Sequence, residues 1–298
     1  MNDEELELFY EAGKIGARIR EKSRKLVSPG KPILEIVQAI EHMIDDEGVA
    51  PAFPPTVCLN EIAAHFTPEI GSEIVIGEKD IVKVDLGVSL DGALSDTAYT
   101  VDIGGEYPDL IKACDESLNS AIKTIAPDVM AGEVGEVIEK TISSYGLRPI
   151  ANLSGHMIER NTLHAGINIP NVGTKDSYAL EEGDIFAVET FATDGAGYVD
   201  EVGKPAIFSA EEPSKMKIGR SRKIVEFIQN KYESLPFTDR WLIREFGSRL
   251  QVGLAMKELM ANFSIVDHPP LKEVRGGMVS QSEHTILVTD SGCKVLTA

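Results

Sequence analysis

Ile81–Val101 reads IVKVDLGVSLDGALSDTAYTV. Val, Ile and Leu alternate with other residues on both sides of Asp91-Gly92, a dipeptide suited to a two-residue type I′ hairpin loop. With the loop placed there, Leu90 faces Ala93, Asp85 faces Ala98 and Gly87 faces Asp96. Side chains on one face of a hairpin recur every second residue, so Asp85 and Asp96 share a face. Their diagonal separation, roughly 7–8 Å at most, puts both within reach of a shared ion or ion pair. The other face carries Val84, Leu86, Val88 and Leu90, an apolar side to bury. Two carboxylates on the covered face of a sheet cost several kcal/mol unless something cationic neutralises them.

The chain of 298 residues has room for one large α/β domain or two smaller ones, and 43% hydrophobic residues supply a substantial core. A net charge of −19 argues against generic binding to nucleic acid or an anionic membrane, both of which need a basic face. No apolar run is long enough to span a bilayer, and the start, MNDEELELFYEAG, is acidic and unlike a signal peptide. Cys58, Cys114 and Cys293 are odd in number and lack CxxC spacing, which reads as reduced thiols in a cytoplasmic protein.

On either side of the hairpin the chain follows one plan. Amphipathic periodicity predicts a helix over Glu4–Val27 and a second from Pro32 to about Glu47, ended by Gly48. After Gly104-Gly105 two further helices are predicted, at about Tyr107–Ile125 and Val134–Tyr145. The repeated helix–helix–sheet order reads as a duplicated unit, with a site expected between the sheets of the two halves. Residues 204–268 break the plan as an inserted, mainly helical subdomain within a single catalytic domain spanning 1–298. Within it, Lys204–Leu250 holds ten Lys/Arg against six Asp/Glu. That charge reads first as a solvated helical surface, with a docking face for ribosomal RNA as the alternative.

The second half adds His156 after a glycine, Glu189 at the end of the strand-like IFAVET, and Glu283 in SQSEHTILVT. Ionised groups in apolar strands are seldom buried without partners. Taken singly, Asp96 reads as a turn or surface residue, His156 as a cap or core histidine, and His65 and His164 as surface histidines. Together, four carboxylates and one imidazole form a hard, oxygen-rich ligand set that favours two divalent ions over one structural zinc. Only the Asp85–Asp96 pairing follows from local geometry. By strand alternation His284 points away from Glu283, and His42 lies on an exposed-looking helix face.

These residues fall in six ordered motifs: AAHFTP at His65, VDLGVSLDGALSD with Asp85 and Asp96, NLSGH at His156, LHAG at His164, AVET at Glu189 and QSEHT at Glu283. In this the sequence resembles the type II methionine aminopeptidases in their short archaeal form, along essentially the whole chain. The resemblance implies a pseudo-symmetric α/β pita-bread fold and a cytoplasmic, mostly monomeric enzyme that removes initiator methionine from nascent proteins when the second residue is small. It implies two divalent metal ions (Co, Mn, Fe or Zn) on Asp85, Asp96, His156, Glu189 and Glu283, with Asp96 and Glu283 bridging and a bridging hydroxide attacking the scissile carbonyl. It further implies Glu189 as the proton carrier, His164 at the oxyanion, His65 beside the scissile bond, and Phe53 and Leu163 lining the methionine pocket.

Two departures bear on that pocket. His268-Pro269 stands where the family usually has Tyr-Pro, and Ser282 stands where it often has Phe. The nearest rival is a proline-specific peptidase of the same fold, which carries a large additional N-terminal domain. A non-catalytic binding protein of the fold would have replaced several ligands, and this sequence has replaced none.

Overall fold

The computed structural model describes residues 2–175, 177–210, 222–261 and 265–298. The hairpin forms from Ile81–Leu90 and Ala93–Asp102. Asp91 and Gly92 sit at φ 49° and 87°, the left-handed pair that a type I′ turn requires. The register is the one this turn dictates, with Leu90 opposite Ala93, Gly87 opposite Asp96 and Asp85 opposite Ala98. A second long pair, Ile185–Thr193 with Val279–Thr289, is also antiparallel and sets Glu189 directly across from Glu283. Ser154–Met157 flanks this pair, with His156 across from Ala187.

Seven helices complete the described residues: α1 Asp3–Arg24, α2 Ile33–Asp46, α3 Pro108–Thr124, α4 Ala131–Ser144, α5 Arg222–Lys231, α6 Asp239–Phe246 and α7 Arg249–Ala261. The first four lie within three residues of the boundaries that periodicity predicts. Asn2 caps α1, its Oδ1 accepting from the Glu5 amide at 2.8 Å. Helices α1 and α2 cover the hairpin, where Ile15, Ile19, Ile36 and Ile40 bury Val84, Leu86 and Val88. Helices α3 and α4 cover the second pair, with Leu110, Leu118, Val134 and Ile138 against Phe186, Val188 and Ile286. Each such side chain contributes about 1.5–3 kcal/mol on burial, which makes the apolar faces the main driving force for the two half-sandwiches. This is the pita-bread α/β fold, the same plan used twice.

The halves join where Ala93–Asp102 meets Val279–Thr289, and threonine hydroxyls make the join. Thr100 Oγ1 accepts from the Gln281 amide at 2.8 Å and donates to the Gln281 carbonyl at 2.7 Å. Reciprocally, Thr285 Oγ1 accepts from the Asp96 amide at 2.7 Å and donates to the Asp96 carbonyl at 2.7 Å. Thr97 Oγ1 adds a bond to the Glu283 carbonyl at 2.9 Å. All three threonines are buried, so each hydroxyl satisfies backbone groups that water does not reach.

The stretch that breaks the plan holds more than helices. Ile207–Ala210 pairs on one side with Phe237–Thr238 and on the other with Ile265–His268. Helices α5 to α7 pack against this small sheet around Phe208, Ile228, Phe237, Trp241, Val252 and Leu259. Strands of two and four residues are too short to show a period of two, and for that reason the sequence reads as mainly helical here. Lys215, Lys217 and Arg220 lie outside the described residues, whereas Arg222 and Lys223 are exposed on α5. Among the described residues, no helix is long and apolar enough to cross a membrane.

Candidate active site

Strand parity brings the ligand set together. Glu283 and Glu189 are cross-strand partners, and His156 opposite Ala187 lies on the same face, two residues along from Glu189. Gly155 permits this approach, because a Cβ there would fall 2.4 Å from the Ala187 carbonyl oxygen. From across the threonine join come Asp85 and Asp96. All five side chains line one cavity of about 340 Å³, together with His65, His164, Phe53, Leu163, Ile207 and His268.

Ligand atoms of Asp96, His156 and Glu283 lie within 4.8 Å of one another, and all three residues are buried. His156 Nε2 stands 3.5 Å from Asp96 Oδ2. Asp85 and Glu189 are tied by a residue that sequence reasoning missed. Gln281 Nε2 donates to Asp85 Oδ2 at 3.2 Å and lies 3.4 Å from Glu189 Oε2. Its signal was available: Gln281 is two residues before Glu283 and so shares its strand face.

Burial dominates the electrostatics. It raises Asp85 well above the usual carboxylate range, with the Asp96 charge adding to the effect. Glu189 and Glu283 are raised in the same way, first by burial and then by the neighbouring carboxylates. Burial also pushes Asp96 up to about 7. It pulls His156 and His65 down to about 4, the latter also facing His268 and His164. The protein around His164 takes it to about 3, with His156 and His268 contributing. The imidazoles are therefore neutral at pH 7, and the carboxylates repel one another.

Such a floor fits divalent cations. Among the described residues, six buried side-chain polar atoms have no hydrogen-bond partner, and four of them are Asp85 Oδ1, Asp96 Oδ1, His156 Nδ1 and Glu283 Oε2. An unpaired buried polar group costs about 1–3 kcal/mol, so a concentration of them in one place marks a site built for a missing partner. The donors are carboxylate oxygens with one imidazole nitrogen, and no thiol lines the cavity, the pattern of Mn, Fe, Co or Zn of the catalytic kind.

The remaining expectations divide. His65 stands in the segment after Ile62–Ala64 at φ 65°, a left-handed conformation uncommon outside glycine, with its ring 6.0 Å edge-to-face from His268. The His164 ring lies 4.2 Å from that of His156. Phe53 packs against Gly87, where a Cβ would meet its ring carbon at 2.4 Å. His268 lines the cavity, and Ser209 Oγ is 2.8 Å from its Nε2. Ser282 does not belong to the cavity. Its hydroxyl bonds Asp115 on α3, because the neighbours of Glu283 in a strand point to the opposite face. The expectation that Ser282 bears on the methionine pocket is therefore corrected. His284, also opposite, pairs with Thr297 at 2.9 Å, and His42 is exposed.

A duplicated α/β sandwich with buried carboxylates and an imidazole at its join defines a metallohydrolase scaffold. Residues 7–290 match the model of metallopeptidase family M24, and the chain belongs to that family. It is 41% identical over 299 residues to a methionine aminopeptidase of Methanocaldococcus jannaschii, covering 100% of both chains. Among solved structures it is similar to a methionine aminopeptidase of Thermotoga maritima, with a TM-score of 0.73, 25% identity, and 100% and 98% of the two chains covered. A thermophilic Arx1 shares the fold at a TM-score of 0.87 and 17% identity, over 99% of this chain and 91% of that one.

Proposed function

We propose that this chain is a methionine aminopeptidase that hydrolyses the first peptide bond of a polypeptide beginning with methionine, with a small second residue preferred. The observation that carries the reading is the convergence of three unpartnered carboxylate oxygens, of Asp85, Asp96 and Glu283, beside the His156 ring in one cavity, in a chain 41% identical along its whole length to an enzyme of that name. In this reading Asp85, Asp96, His156, Glu189 and Glu283 hold two divalent ions, drawn from Co, Mn, Fe or Zn. Bound there, the ions supply Lewis acidity and lower the pKa of water towards neutrality.

The protein's own groups do the rest. Glu189 takes a proton from the attacking water at a carboxylate oxygen and returns it to the leaving amine. His164, neutral at working pH, donates a ring N–H to the carbonyl oxygen as negative charge develops on it. His65 contacts the substrate at the scissile bond, and Phe53 and Leu163 enclose the methionine side chain. Residues 204–268 form a subdomain inserted into the single catalytic domain and supply Ile207 and His268 to the cavity wall. The protein works as a cytoplasmic monomer on emerging chains. A ribosome contact through the insertion rests on its charge, and co-sedimentation of an Arg222→Glu/Lys223→Glu variant tests it: retained binding removes that contact from the proposal.

Release of methionine tests the main reading. Metal-stripped protein is given Met-Ala-Ser, Met-Lys-Ser or Ala-Pro peptides, with and without Mn, Fe or Co. Metal-dependent cleavage of Met-Ala-Ser alone is the expected result. Cleavage of the Ala-Pro peptide moves the chain to the proline peptidases, and inertness with every metal overturns the reading.

A further inference from the structure

His65 is bound into a network that begins in the insertion. Arg240 on α6 is only 4% exposed, and each of its three guanidinium nitrogens makes a hydrogen bond. Its Nη1 donates to Glu41 Oε1 on α2 at 2.6 Å, its Nη2 to Thr67 Oγ1 at 3.0 Å, and its Nε to the Pro68 carbonyl at 3.2 Å. Trp241 Nε1 reaches the same Glu41 oxygen at 2.6 Å. Glu41 and Thr67 are themselves buried. Two of the three guanidinium bonds therefore end on the segment that starts at His65, two and three residues beyond it.

That segment needs holding. His65 occupies the left-handed region, which a non-glycine residue keeps only where its surroundings over-determine it. On one side, Ala64 is fixed by pairing with Leu271. On the other, the Phe66 carbonyl accepts from the Val57 amide at 3.0 Å, and Arg240 fixes the next two residues. A planar fork with several donors in fixed directions suits this task, whereas a lysine provides a single point of charge.

We propose that Arg240, acting through Thr67 and Pro68, is a positioning residue for His65, so that the insertion sets the geometry of the catalytic cavity as well as forming part of its wall. This rests on the reading of His65 as a substrate-contacting group. An error of about 1 Å in a group at the reacting bond costs up to roughly 100-fold in rate, so loosening the clasp acts mainly on kcat.

The test uses full-length, metal-loaded protein and the Met-Ala-Ser peptide. Thr67→Val removes the hydroxyl with little change of shape, Thr67→Ser restores it, and Arg240→Lys keeps the charge beside Glu41 while losing the fork. Thr67→Val and Arg240→Lys are expected to lower kcat by roughly 10- to 100-fold with KM within about twofold, and Thr67→Ser to recover most of the loss. In an His65→Ala background, Thr67→Val is expected to cost nothing further, because the residue it positions is gone. The His65 ¹³Cα shift, which reports the left-handed backbone, is expected to move in Thr67→Val and to stay in Thr67→Ser. An undiminished Thr67→Val effect in the His65→Ala background overturns the proposal, as does wild-type kcat in both Thr67→Val and Arg240→Lys. Wild-type activity of His65→Ala itself overturns the underlying role of His65, a separate result.

Discussion

Stripping metal from this site is expected to make the protein's stability depend steeply on pH. Asp96 has a folded pKa of about 7, raised by burial, against roughly 3.9 for an unfolded aspartate. The folded chain therefore keeps a proton that the unfolded chain releases, and stability falls as pH rises from near 4 through about 7. Three units at ~1.4 kcal/mol each give ~4 kcal/mol for this one group at pH 8. Asp85, Glu189 and Glu283 are raised too and act in the same direction. About 1.5 of those units lie above pH 5.5, ~2 kcal/mol, so at roughly 2–4 °C per kcal/mol this group alone lowers Tm by about 4–8 °C between pH 5.5 and 8. The assay is thermal unfolding from pH 5.5 to 8.5 of stripped protein, Mn-loaded protein and stripped Glu283→Gln. The loaded protein should lose much less, and Glu283→Gln, with one charge fewer, should melt above stripped wild type at pH 8. A flat profile for the stripped protein, or a lower Tm for Glu283→Gln at pH 8, would refute the claim that bound ions relieve the cost of ionising these buried, crowded carboxyls.

Other expectations are more local. Gly87→Ala puts a methyl 2.6 Å from the Ser95 carbonyl and 2.4 Å from the Phe53 ring, so it should destabilise by about 2–3 kcal/mol in denaturant melts and raise KM for methionyl peptides through a displaced Phe53. Gln281→Ala should weaken metal binding by roughly 10- to 100-fold in a calorimetric titration, because Asp85 and Glu189 lose the amide that orients them. Buried Glu273 accepts from the amides of Ala196, Gly197, Arg275 and Gly277, so Glu273→Gln, turning an NH₂ towards donors, should cost about 2–3 kcal/mol in urea unfolding at unchanged metal stoichiometry.

The parts of this molecule legible in its sequence are those governed by local rules. Asp91-Gly92 dictated a turn, the turn dictated a register, and the register put Asp85 and Asp96 on one face. Parity also carried His284 away from the site, and the same rule applied to Ser282 would have turned it towards α3. What local rules do not reach is the meeting of distant segments. Glu189 faces Glu283 across 94 residues of chain, and nothing in either strand announces its partner. His65 and His164, unremarkable singly, gained meaning only from motif order. The small sheet of the insertion stayed hidden because its strands are too brief to alternate. Arg240 looked like one charge among ten, and its burial depends on Glu41, 199 positions away.

The threonine join has a consequence for what the cavity can admit. Strands in a direct ladder lie about 4.8 Å apart, with each N–H meeting a carbonyl in one step. Here Thr100 and Thr285 interpose an oxygen, so the path from one strand to the next is a covalent arm plus a hydrogen bond. Asp96 and Glu283 stand on opposite banks of that gap, and the hydroxyls grip the backbones of Asp96, Gln281 and Glu283. The length of a threonine side chain thus serves as a gauge block: it sets how far apart the two halves hold these carboxylates and, in the proposed metal centre, the size of cation they could share.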